Sequence, residues 1–118
     1  MTPRTKAAAW TATALIAVVI GLLTLSPGIA AAAASNDKLS HFVAFAVLVL
    51  PLSLAYPQRV LPVVLLAAVY ALGIEIIQPQ VGRAGEVADF AADMLGAVTG
   101  ALAGRAAGLR LMRRGVPG

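Results

Sequence analysis

Nine polar residues carry the donors, acceptors and charge that a binding or proton-transfer site requires: Asp37, Lys38, His41, Glu75, Gln78, Arg83, Glu86, Asp89 and Asp93. They include all five acidic residues and the single histidine of the 118-residue chain. On a helix, Asp37 and His41 share a face, as do Glu75 and Gln78. Glu86, Asp89 and Asp93, spaced i, i+3 and i+7, line one face of a further helix. Three chemistries follow. Lys38 and Arg83 would pair with Glu75, Asp89 and Asp93 to brace a loop. Alternatively, the two cations would hold a phosphate, Arg83 in bidentate fashion, while the carboxylates take hydroxyls or an amine. In a catalytic site, His41 or Glu75 would serve as a partly buried general base. Five acids against Lys38 and Arg83 give −3, and close carboxylates call for a cation, a metal or a shared proton between them. An all-oxygen divalent site is chemically open. One histidine and no cysteine supply too few ligands for zinc, and no cofactor is called for.

The elements that must position these groups are apolar. The sequence is 60% hydrophobic and 12% charged, against about 45–50% and about 25% in soluble domains. The excess lies in four segments, 7–25, 39–56, 60–77 and 90–107, each near the lower length that crosses a bilayer as a helix. The expectation is an all-α integral membrane bundle of four transmembrane helices forming one domain over 1–118. Arg4, Lys6, Arg59, Arg105, Arg110, Arg113 and Arg114 then fall on one side, and only Lys38 and Arg83 on the other. The positive-inside rule makes the first side cytoplasmic, with both termini inside and the polar constellation outside. The basic tail reads as an anchor to anionic membrane lipids rather than a nucleic-acid patch. The first segment also resembles a signal peptide with an alanine-rich cleavage site, but its apolar run exceeds the usual h-region, which favours an uncleaved span.

Ser26-Pro27-Gly28 breaks the first helix. Ser35, Asn36 and Asp37 are N-cap residues for the second, and Pro51 is expected to kink it. Tyr56-Pro57-Gln58-Arg59 reads as a tight turn, which makes helices two and three a hairpin. Helix three stops at Gln78-Pro79, and helix four begins near Glu86 or Val87. Ala92, Gly96, Gly100, Gly104 and Gly108 then recur every four residues, a spacing that lets another helix approach closely. That partner is either a helix of the same chain, which is favoured, or a second copy in a homo-oligomer.

Asp37-Lys38-Leu39-Ser40-His41-Phe42, Glu75-Ile76-Ile77-Gln78, Gly82-Arg83, Asp89 and Gly96-Ala97 together resemble the VanZ-like family over about residues 36–104. The family pattern has an Asp-Lys-x-x-His-Phe start, a Glu-x-x-Gln helix end, a Gly-Arg loop, and Asp-x-x-x-Asn before Gly-Ala. Carried over, it marks Asp37, Lys38, His41, Glu75, Gln78, Arg83 and Asp89. This chain departs from it at Asp93, where members often have Asn, and at Pro79-Gln80-Val81, where an aromatic often precedes the Gly-Arg. The resemblance implies a small multi-pass protein of the bacterial cytoplasmic membrane, related to one linked to low-level teicoplanin resistance, with no assigned reaction.

The leading expectation is a cell-envelope protein whose outward polar site, including Asp93, engages a lipid-linked cell-wall intermediate or another amphiphile. One alternative is a small proton-coupled transporter, since four spans at this length resemble the small multidrug resistance family. That family carries a glutamate in its first span, and 7–25 has no charge. The other is a packing subunit that docks an envelope enzyme through the glycine series.

Overall fold

Within lipid, an apolar stretch must satisfy its backbone hydrogen bonds internally, and a helix does this within one segment. The computed structural model describes residues 2–25, 37–77 and 87–115, which are all-helical. Four helices run α1 (Pro3–Leu25), α2 (Asp37–Ala55), α3 (Val60–Ile77) and α4 (Val87–Arg113). Each is long and apolar enough to cross a membrane. The molecule measures 49 × 23 × 22 Å, and its length suits a bilayer of about 40–45 Å including the headgroup regions. Leu15, Leu61, Val69 and Leu95 stand outward and exposed, a surface that lipid covers and water would not.

Local signals fix the ends. Thr2 caps α1 by accepting from the Thr5 N–H at 3.2 Å, and Pro3 occupies the first helical position, where its missing N–H costs nothing. α2 begins at Asp37 and continues through Pro51 to Ala55. The Tyr56–Arg59 turn closes with the Arg59 N–H donating to the Tyr56 carbonyl at 2.9 Å. α4 extends beyond its apolar stretch to Arg113, so its last turns carry exposed Arg105, Arg110 and Arg113. The breaker at Ser26-Pro27-Gly28, the helix end expected at Gln78-Pro79 and the loop expected over 79–86 lie outside the described residues.

α2 and α4 run parallel and form the closest helix pair. A Cβ placed on Gly96 would meet the Phe42 carbonyl oxygen at 2.1 Å, and one on Gly100 the Ala46 carbonyl oxygen at 2.4 Å. Gly104 would meet the Ser53 Cβ at 2.5 Å, and Gly108 the Leu54 carbonyl oxygen at 2.6 Å. On α4 the contacts advance four residues at a time, which is small-residue packing within one chain. A dimer through the same stripe would need α2 to leave it. Ala97 and Ala101, fully buried, join Phe45, Val49 and Leu52 in the core. α3 flanks the pair on the α4 side, and α1 leans mainly on α2. Only Ala9 and Ile20 of α1 are buried. It is fastened instead by polar links: Trp10 Nε1–H donates to the Tyr56 hydroxyl at 3.1 Å, and the Tyr70 hydroxyl donates to the Ala17 carbonyl.

Gly100→Ala should force α2 and α4 apart and destabilise the protein by about 1–3 kcal/mol, the usual range for overpacking. A Cβ on Gly73, in α3, would meet nothing within 4 Å, so Gly73→Ala should be neutral or stabilising by up to about 1 kcal/mol. Unfolding in graded SDS, followed by circular dichroism, separates the two.

Candidate functional site

The glycine seam continues upward into a polar one. Asp89 and Asp93 occupy the first turns of α4 on the face that carries Gly96 and Gly100, and Lys38 and His41 occupy the first turns of α2. Because the two helices are parallel, both N-termini lie at one end. The Phe42–Gly96 contact, one turn below, then brings the side chains together. Lys38 Nζ donates to Asp89 Oδ1 at 2.7 Å. His41 Nδ1 meets Asp93 Oδ1 at 2.6 Å, and His41 Nε2 faces Asp89 Oδ2 at 3.9 Å. The imidazole therefore sits between two carboxylates. His41, Asp89 and Asp93 are all more than nine-tenths buried, whereas the Lys38 side chain is half exposed. Asp89 also sits in the first turn of α4, where the positive end of the helix dipole favours an anion.

Buried charge near a membrane demands partners, and this group supplies its own. With His41 neutral, Lys38, His41, Asp89 and Asp93 sum to −1; with it protonated they sum to zero. The Nδ1–H donated to Asp93 orients the ring and turns Nε2 toward Asp89, at 3.9 Å and beyond direct hydrogen-bond reach. The chain Lys38–Asp89–His41–Asp93 thus leads from the surface into the bundle. Among the described residues, no group of three or more His, Asp or Glu side chains could hold a metal ion.

Of the residues singled out by sequence, the structure joins Lys38, His41, Asp89 and Asp93. Glu75 lies near the end of α3 at the same end of the bundle, half-buried. Asp37 opens α2. Gln78, Arg83 and Glu86 lie outside the described residues. Ala92, Gly96, Gly100 and Gly104 belong to α4, and the three glycines form the seam together with Gly108. At Asp93, the Asn common in the family pattern would accept the same hydrogen bond from His41 without a charge. Sequence reasoning missed two polar links that fasten α1, through Trp10 of α1 and Tyr70 of α3. The signal was there: a lone tryptophan near a span's start and a tyrosine inside an otherwise aliphatic span both carry a polar atom that needs a partner.

Four membrane-crossing helices around a polar cluster near one end define a small multi-pass membrane protein. Residues 8–108 match the VanZ/LLP1 family, and the chain belongs to that family. The match begins within α1 and so includes the helix that the 36–104 motifs left out. No curated protein sequence and no solved structure is similar to the chain.

His41→Ala should cost about 3–5 kcal/mol, because it removes the imidazole hydrogen-bonded to the buried Asp93 carboxylate. Asp93→Asn keeps an acceptor for His41 and should cost about 1 kcal/mol. The same SDS unfolding series measures both.

Proposed function

We propose that this VanZ-family protein sits in the bacterial cytoplasmic membrane with its polar end outward, where it engages the head of a lipid-linked or amphiphilic envelope component. Through that contact it alters sensitivity to glycopeptides. The observation that carries this reading is the Lys38–Asp89 pair. A half-exposed ammonium is held at 2.7 Å by a buried carboxylate, which is itself backed by His41 and Asp93. Such a cation is presented to the surface on a rigid base, and an incoming phosphate can share its three donors. Arg83 and Gln78, from the sequence that follows α3, would add further donors, while Glu75 would orient hydroxyls or an amine and Asp89 would hold Lys38 in place. The outward orientation rests on the basic residues Lys6, Arg59, Arg105 and Arg110, which gather at the opposite end of the bundle from the acids.

His41 and Asp93 lie within about two turns of one helix end, away from the midplane where secondary transporters hold substrates. That placement suits a headgroup site better than proton-coupled transport.

Wild-type protein extracted in mild detergent should carry a discrete lipid-linked species in native mass spectra. Lys38→Gln and Arg83→Ala should lose it while remaining folded, and should lose any glycopeptide tolerance the wild type confers on a sensitive host. Unchanged spectra and unchanged tolerance in both variants would leave the cluster a structural ion network only.

A further inference from the structure

The opposite end of the bundle is built differently. A cavity of about 600 Å³ opens there, with Lys6, Trp10, Tyr56 and Arg59 among its walls. Its charge is one-sided. All five acidic residues belong to the other end or to the sequence next to it, so among the described residues neither Lys6 nor Arg59 has an acidic side chain nearby. Lys6 is held instead against an aromatic face, with Nζ 5.3 Å from the centre of the Tyr56 ring, a contact that positions a cation without neutralising it. Trp10 packs edge-on to the same ring at 6.4 Å and donates to its hydroxyl. Tryptophan and tyrosine with lysine and arginine form the side-chain set found at headgroup level in membranes.

The cavity does not end at that level. Leu52, Val63 and Leu66 line it and also line a second, almost wholly apolar cavity of about 320 Å³ that runs inward between α1, α2 and α3 to Tyr70. This groove exists because α1 touches α3 so little. Thr13 lies on its wall, one turn deeper than Trp10, and its hydroxyl has no hydrogen-bond partner among the described residues. One turn is about 5 Å, which places a spare donor below the charged level, where a glycerolipid carries its ester carbonyls.

From these observations we propose that the end formed by Lys6, Trp10, Tyr56 and Arg59 binds the head group of one anionic phospholipid, whose acyl chain lies in the groove between α1 and α3. A free phosphate would use the cations but leave the groove without a role. A neutral lipid would fill the groove but leave the cations without a counter-charge. This site is separate from the Lys38–His41–Asp89–Asp93 cluster and does not depend on its function.

The test uses the full chain in a mild non-ionic detergent, titrated with phosphatidylglycerol or with phosphatidylcholine of the same acyl chains. Bound lipid is read by native mass spectrometry and by the emission of Trp10, the only tryptophan. One phosphatidylglycerol should bind saturably, with phosphatidylcholine far weaker. The double variant Lys6→Gln, Arg59→Gln should weaken binding roughly 30-fold, about 2 kcal/mol at about 1 kcal/mol per basic residue. Leu66→Phe should narrow the groove and weaken binding with both cations in place, while leaving Trp10 the only tryptophan. Lys38→Gln should bind phosphatidylglycerol as wild type does, so that failure here and failure of the outward site are told apart. Equal binding of the two lipids, an unaffected double variant, or full displacement by inorganic phosphate would each overturn the proposal.

Discussion

The close approach of α2 and α4 is the constraint on which the rest depends. Four glycines remove side chains from one face of α4, and the backbone of α2 fills the space. Packing at that distance leaves no room for a polar side chain to find water, so polar groups placed on the same face must find each other. At the N-terminal end of the seam they do: Lys38 meets Asp89 and His41 meets Asp93. The hydrogen bonds and the glycines are one feature seen at two depths. Within a bilayer the hydrophobic effect offers helices little reason to associate, so van der Waals contact and interhelical hydrogen bonds have to do it. This chain uses both on one pair of helices.

The remaining helices are held differently. α3 joins α2 to α4 by running back between their ends, and that return is what allows two helices of one chain to lie parallel. α1 is fastened by a tryptophan, two tyrosines and a lysine, with few buried residues of its own. The bundle therefore has a tight side and an open side. The tight side carries the acids, and the open side carries an apolar groove that ends among cations.

Much of this was legible in the sequence. Apolar stretches of span length announced the helices, and α3 starts where its apolar run does, directly after Arg59. The four-residue glycine period announced a helix contact, and residues at i, i+3 and i+7 put the aspartates on one face. The partner of that face was not legible. A glycine stripe reads the same whether it meets α2, α3 or another molecule, because the information lies in the backbone of the partner and not in its side chains. For the same reason the sequence grouped Lys38, His41, Glu75 and the aspartates without saying which would pair. The His41–Asp93 bond follows only once Phe42 is set against Gly96. Trp10 and Tyr70 signal that each needs a polar partner, but nothing in their local pattern says that the partners are Tyr56 and the Ala17 carbonyl, some fifty positions away.

The parallel seam also bears on how the protein is made. A chain enters a membrane in order, and α2 arrives well before α4. Until the fourth helix is inserted, His41 has no carboxylate from Asp93, Lys38 none from Asp89, and the stretch of backbone from Phe42 to Leu54 has no glycine face to cover it. All three deficits are removed by the arrival of the same helix. Completion of the polar site and completion of the fold are therefore a single event in biosynthesis, and the early hairpin is the form of this protein that most resembles a substrate for membrane quality control.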